Sequence, residues 1–314
     1  MTILVTGASG FVGSSLCQSL LKDGQNVRAA YRFIRPKIYS NEFVQIGEID
    51  GNTNWSNALQ GVNQVVHLAA KVHVMNPHRR RSLDFFKVNV EGTARLALQA
   101  HREGVKRFIF ISSVKVNGEV TALGTPFCAE DRTDASDAYA ASKAEAETTL
   151  RQISFETGME LVIIRPPLIY GQGVKANFYK MIKWLSMARP LPLASVTENR
   201  RSFVSLGNLV DLIMICAIHP LAANQTFMVS DDNDLSTVDL LTRIGFFLRK
   251  PARLFHVRPR LLEVVATLAG KEAVYQRLCG TLQVDIRKTK NLLNWRPPVT
   301  VDEGLKKAIQ SIEI

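Results

Sequence analysis

The chain has 314 residues, 46% of them hydrophobic and 21% charged, a globular composition with room for one large domain or two smaller ones. No apolar run reaches the roughly 18 residues of a membrane span, and the nearest candidate, 206–218, is broken by Asn208 and Asp211. The net charge of +11 invites an anionic partner, but no nucleic-acid-binding motif accompanies it.

The first predicted strand is Ile3-Leu4-Val5, and the run Thr6-Gly7-Ala8-Ser9-Gly10-Phe11-Val12-Gly13 follows it directly. An amphipathic stretch with Val12, Leu16, Leu20 and Leu21 on one face comes next and stops at Gly24. Strand, glycine turn and helix are the three parts of a phosphate-binding βα unit. Gly7 permits the sharp turn, Gly10 the close approach of backbone to a pyrophosphate, and Gly13 the packing of helix on strand. This opening leaves no signal peptide in the sequence given.

Short apolar runs at 27–31, 65–68, 108–111 and 161–164 read as strands buried on both faces of a parallel sheet. Helical stretches at 83–103 and 138–157 separate them, and the long loop 117–137 has the length of an active-site wall. Repeated βα units of this size predict an α/β, Rossmann-type, doubly wound parallel sheet. After Arg165-Pro166-Pro167 the pattern becomes mainly helical. Ser236-Thr-Val-Asp239 and Thr300-Val-Asp-Glu303 look like capping boxes ahead of helices. The expected organisation is a dinucleotide-binding domain over 1–170 and a smaller C-terminal substrate lobe over 171–314. Residues 196–225 are a candidate to return to the first domain.

Cys17, Cys128, Cys216 and Cys279 show no metal-ligand spacing, nor do the six histidines, so no metal site is read. Cys17 and Cys216 lie in apolar helical stretches and read as buried free thiols, which suits a cytoplasmic location. The basic residues Arg79, Arg80 and Arg81, then Arg249, Lys250, Arg253, Arg258 and Arg260, read as a solvated face. An anionic small substrate, or loose association with an acidic membrane surface, fits as well.

Tyr139 and Lys143 stand one helical turn apart, and Ser113 ends a buried strand one βα unit earlier. A phenol titrates near 10, and a cation one turn away is expected to pull that value down. With a serine hydroxyl to steady the reacting oxygen, this is an acid–base device for interconverting a carbinol and a ketone. His67, on a buried strand, reads as a packed residue.

These motifs resemble the extended short-chain dehydrogenase/reductase family, within it the nucleotide-sugar epimerases, dehydratases and reductases. The resemblance spans essentially the whole chain. It is carried by the glycine run, His67-Leu68-Ala69-Ala70, Asn89-Val-Glu-Gly-Thr93, Ser112-Ser113, Tyr139-Ala-Ala-Ser-Lys143, Arg165-Pro166-Pro167, Tyr170-Gly171, Arg201-Ser-Phe-Val204 and Leu293-Asn-Trp295. It implies a nicotinamide dinucleotide held by Gly7, Ser9, Gly10, Phe11, Val12 and Gly13, by Ile49 and Asp50 beside the adenine, and by Leu68, Ala69, Ala70, Lys71, Lys143 and Pro166. The catalytic set it implies is Ser113, Tyr139 and Lys143. NAD-binding relatives end the second strand in a carboxylate, whereas here Arg32 stands at that point with Arg35 nearby and no carboxylate to repel a 2′-phosphate. NADP(H) is therefore favoured over NAD(H).

The family's 4,6-dehydratases place an Asp-Glu pair after the residue matching Ser113. Val114 and Lys115 stand there instead, so dehydration is excluded. Lys115 is either a cation beside the sugar or a solvated strand-end residue. For the UDP-sugar substrate, the resemblance points to Lys175, Asn177, Leu193 and Arg201, the last as the pyrophosphate arginine. Galactose-type epimerases carry Arg-Tyr-Phe-Asn where this chain has Arg165-Pro166-Pro167-Leu168, and the asparagine that contacts UDP is missing. The stretches around His67, Ser113 and Tyr170 look similar to the branch that reduces UDP-4-keto-6-deoxy-N-acetylglucosamine to UDP-N-acetylquinovosamine for surface polysaccharide. That 4-ketoreductase is the first expectation, a UDP-sugar 4-epimerase the alternative, and a non-catalytic NADP-sensing scaffold a third class. The resemblance also implies a homodimer through helices 83–103 and 138–157.

Overall fold

Parallel strands covered on both faces read as near-continuous apolar runs, and β4 (Gln64–His67) and β5 (Arg107–Ile111) are buried at every residue, with polar Gln64, His67 and Arg107 only at their ends. The computed structural model describes residues 1–72 and 84–312; His73, Arg79, Arg80, Arg81 and the start of the helix expected from Leu83 lie outside them. In chain order the other strands are β1 (Thr2–Thr6), β2 (Asn26–Tyr31), β3 (Glu42–Gln45), β6 (Glu160–Arg165), β7 (Leu168–Tyr170), β8 (Phe203–Ser205) and β9 (Gln225–Met228). Seven of them form one sheet in the order β3-β2-β1-β4-β5-β6-β9, parallel at every pairing. The strand order reverses between β1 and β4, which opens a crevice at the carboxyl ends of those strands. This is the doubly wound, Rossmann-type α/β sheet.

Helices cover both faces. On one side α1 (Phe11–Lys22) and the later helix Leu206–Ile218 bury Leu16, Cys17, Leu209 and Ile213 against Val5, Ile109 and Phe227. On the other, the short α2 (Ser56–Leu59), α3 (Gly92–Arg102) and α4 (Ala138–Thr157) bury Leu59, Leu96 and Leu150 against Leu4, Val65 and Phe108. A π-helical turn, Lys87–Glu91, leads into α3. Cys17 and Cys216 are both buried free thiols.

The region past Arg165 is less helical than its sequence reads. β7 and β8 form a separate parallel pair, and β9 joins the main sheet beside β6. Strands of three or four residues are too short to show a period of two. The remaining helices are α5 (Ala176–Ser186), α6 (Leu206–Ile218), α7 (Thr237–Phe247), α8 (Pro259–Leu268), α9 (Glu272–Cys279), α10 (Arg287–Leu293) and α11 (Val301–Gln310). α5, α7 and α11 close a second core around Tyr170, Phe178, Ile182, Phe203, Ile244 and Leu305. α7 and α11 both begin with reciprocal capping boxes, Ser236 with Asp239 and Thr300 with Glu303. Leu293 and Trp295 return to the sheet core, where the Trp295 indole N–H donates to Asp211 at 2.7 Å.

Candidate active site

The glycine turn is a cradle with no room for side chains. Gly7 has φ +65°, and a Cβ there would lie 2.8 Å from the Ala69 nitrogen. A Cβ on Gly13 would lie 2.2 Å from the Gly7 carbonyl oxygen, so helix and turn touch backbone to backbone. α1 begins with Gly10 as its cap residue and no capping side chain, leaving first-turn N–H groups and the helix's positive end for an anion. Ser9 and Gly10 are exposed, and Phe11 and Val12 half-buried, at this mouth. The residues present fit a dinucleotide's pyrophosphate.

Along the crevice, Leu68, Ala69, Ala70 and Lys71 follow β4, and the Ala69 N–H donates to Thr6 Oγ1 at 3.2 Å. Ile49 is buried; Asp50 accepts from the Asn52 N–H at 2.9 Å and pairs with Lys87 at 3.2 Å, and these contacts hold its carboxyl below the usual range. Arg35 stacks over the Phe43 ring at 4.0 Å. The strand end at Arg32 does have a carboxylate neighbour: Glu48, from the loop after β3, lies 3.8 Å from the Arg32 guanidinium. Inspection of the second strand alone missed it because the acid comes from the next βα unit.

Ser113, Tyr139 and Lys143 are brought together by two ties between the end of β5 and α4. Lys143 Nζ donates to the Ile111 carbonyl at 2.8 Å, and Lys115 Nζ to Asp137 Oδ2 at 2.7 Å. Ser113 lies between the two tied residues on one segment, and Tyr139 between them on the other. Ser113 Oγ caps the short turn Val114–Val116, accepting from the Lys115 N–H at 3.2 Å. Pro166 is buried behind this turn, its carbonyl accepting from the Val114 N–H at 2.9 Å. Asp137 also caps α4 through the Ala140 N–H at 2.7 Å.

The electrostatics correct one expectation. Tyr139 is pushed up to about 12, first by burial and then by the Asp137 charge, rather than down by Lys143. The Lys143 ammonium turns to the Ile111 carbonyl and sits 4.3 Å from the Phe110 ring centroid. Burial drops it to about 7, with Glu147 opposing the fall. Lys115 is half-buried and pairs with both Glu119 and Asp137. His67 is packed, its ring nitrogens 2.7 Å from Thr6 Oγ1 and 3.0 Å from Thr93 Oγ1, and burial lowers it to about 3.

On the lobe side, Lys175 and Asn177 are exposed at the start of α5 and Leu193 is buried in the second core. Arg201 is largely buried, donating to the Gly280 carbonyl at 3.0 Å and the Gln276 carbonyl at 3.3 Å. Burial lowers its pKa, Glu119 opposes the fall and the Arg277 charge adds to it.

A model of the NAD dependent epimerase/dehydratase family matches residues 3–229. The chain belongs to that family. As a member of the NAD-dependent epimerase/dehydratase family it is an NAD-dependent enzyme on a Rossmann sheet. It is similar to "UDP-glucose 4-epimerase" of Vibrio cholerae, 45% identical over 99% of this chain and 95% of the relative. It is also similar to "N-acetyl-alpha-D-glucosaminyl-diphospho-ditrans,octacis-undecaprenol 4-epimerase" of Escherichia coli O157:H7, 28% identical over 98% of this chain and 94% of that one. Among solved structures, the fold matches a UDP-glucuronic acid 4-epimerase from Bacillus cereus in complex with NAD, with a TM-score of 0.80 at 22% identity over 99% of this chain and 96% of that one. These names stand with the epimerase alternative rather than with the ketoreductase.

Three buried residues beside the site carry structure that the sequence reading did not assign. Asn89, buried on the π-helical turn, accepts from the Lys71 N–H at 2.8 Å and donates to the Lys71 carbonyl at 3.1 Å and to Ser142 Oγ at 2.9 Å. It thereby joins the loop after β4 to α4. Glu147 and Arg165 form a buried, two-pronged ion pair behind Lys143. Asn89 lay within a quoted motif, and Glu147 stands one turn past Lys143, but only the fold supplies their partners.

Proposed function

We propose that this chain is a UDP-sugar 4-epimerase using NAD(H). The observation that carries the choice is the 45% identity to the Vibrio cholerae UDP-glucose 4-epimerase, sustained over 99% of the chain. The site geometry supports chemistry at one carbinol and no more. Ser113, Tyr139 and Lys143 gather at the end of β5, while Val114 is buried and Lys115 is committed to two carboxylates. No acid–base pair stands where elimination of water would need one.

NAD, held at the Gly7–Gly13 turn, would supply reversible hydride transfer at C4. Ser113 would hold the C4 oxygen, and Tyr139 would exchange its phenolic proton with that oxygen. At neutral pH Tyr139 is a phenol and suits the proton-giving half of the cycle. The proton-taking half needs positive charge nearer the phenol, and Lys143 is the cation one turn away that can supply it. Arg201, with the Arg277 charge close enough to be felt, would counter the charge of the sugar's diphosphate. Glu48 beside Arg32 supports NAD over its 2′-phosphorylated form.

One observation favours the 4-ketoreductase with NADPH as a second reading: the Arg32 side chain is 63% exposed and only loosely held by Glu48. The two readings separate in one experiment. The purified protein is assayed for released NAD, then incubated with UDP-glucose or UDP-N-acetylglucosamine and followed by NMR. The epimerase reading expects bound NAD and a C4 epimer formed with no net cofactor consumption. Consumption of one NADPH per UDP-4-keto-6-deoxy-sugar, with no epimerisation, overturns it.

A further inference from the structure

The substrate lobe carries a surface that the C4 chemistry does not use. Leu261, Val264, Val265 and Leu268 recur on α8 at the spacing of one helix face. All four are turned to solvent, and Leu268 is 84% exposed. Leu262, on another side of the helix, is the residue that meets the lobe core. A helix with its apolar stripe outward is the reverse of what a surface helix does to stabilise its own domain.

The surroundings of α8 are cationic. Residues 240–262 hold six Arg and Lys and no Asp or Glu, and residues 172–197 hold four and none. The two segments run edge to edge, the Leu191 N–H donating to the Arg253 carbonyl at 2.9 Å and the Phe255 N–H to the Leu191 carbonyl at 3.0 Å. That contact brings exposed Phe255, and Trp184 and Met187 at the end of α5, to the same end of the lobe. The nearest carboxylates along the helices are Glu263 and Glu272.

We propose that this end of the lobe docks on an anionic phospholipid surface, with α8 lying in the interface. Aliphatic and aromatic side chains on one face, rimmed by Arg and Lys, are the composition of helices that settle at the headgroup boundary. Basic clusters add attraction to anionic lipid that salt weakens. Among the described residues no helix is long and apolar enough to cross a membrane, so the association is peripheral. The proposal holds whichever C4 reaction the site performs.

The test is flotation of the full chain with vesicles of phosphatidylcholine alone, or mixed with phosphatidylglycerol at about three to one. Co-flotation is expected only with the anionic vesicles, with release in roughly 0.5 M salt. Trp55 and Trp295 are buried, so a blue shift of tryptophan emission on binding reports Trp184. The pair Leu261→Gln and Leu268→Gln is expected to lower the partition coefficient at least about tenfold. The pair Arg258→Gln and Arg260→Gln is expected to weaken binding to anionic vesicles alone. Both pairs are on exposed side chains, and an unchanged thermal midpoint checks the fold. No flotation, or equal flotation with both vesicle types, overturns the proposal. So does a wild-type dimer that the leucine pair converts to monomer without any vesicle binding, since a second copy would then cover α8.

Discussion

Glu147→Gln tests whether the catalytic helix is anchored by the charge behind it. The Glu147 carboxylate receives Arg165 Nε at 2.9 Å and NH2 at 2.5 Å, with side chains only 3% and 4% exposed. The glutamine keeps the shape and removes the charge. Arg165 is then left buried, with neutral acceptors on Asn117 and Ala129 at 3.2 Å. Deleting one partner of a buried pair costs about 3–5 kcal/mol, a large part of a total stability of about 5–15 kcal/mol. The urea midpoint should fall by an amount on the order of 1 M. Removing Arg165 too, as Arg165→Met, should restore part of the loss, because no buried charge is then stranded; the two changes should couple by about 2 kcal/mol. Glu147 also opposes the burial that depresses Lys143, so its loss should drive the lysine further below about 7. The lysine limb of the pH–rate profile should move to lower pH. Simple additivity of the two substitutions, with an unmoved midpoint in Glu147→Gln, would refute the anchoring argument.

Tyr139→Phe keeps the ring packed near Phe85, whose centroid is 6.2 Å away, and removes the exchanging proton. Turnover should fall at least about 100-fold while cofactor affinity holds; near-normal turnover would remove Tyr139 from the mechanism. Lys143 also writes a signature into stability. Its folded value of about 7 lies below its ordinary 10.5, so between those values the unfolded chain binds the extra proton. In nucleotide-free protein its contribution should rise with pH across that window and be flat below it, and Lys143→Met should erase the slope in denaturation midpoints measured from acid to alkaline pH.

The sheet was legible because parallel strands buried on both faces leave unbroken apolar runs, and the glycine turn because its steric demand admits few other residues. α4 was legible in full, with Tyr139 and Lys143 one turn apart. β7, β8 and β9 were not: at three or four residues each they show no period, and their pairing depends on chain far away. The same limit explains the site. The residues Ser113, Tyr139 and Lys143 can be found by spacing, but their charge states cannot. Tyr139 answers to burial and to Asp137, and Lys143 to burial and to Glu147, all of which are set by packing. Glu48 escaped because the neighbour of a strand end is supplied by another βα unit.

The return of Trp295 to the sheet core has a consequence for synthesis. Leu282, Val284, Ile286, Leu293 and Trp295 complete a core whose other buried members are in place by Val229, and part of the lobe is threaded between those two points. At about 5–20 residues per second on the ribosome, the emerging sheet waits several seconds with Asp211 and its apolar neighbours uncovered. Its final closure therefore has to follow synthesis of the part of the lobe that lies between Val229 and Leu282. The sheet core and the second core are in this way tied together during maturation, and a chain cut just after β9 would keep the glycine turn yet lack the plug that seals the sheet core.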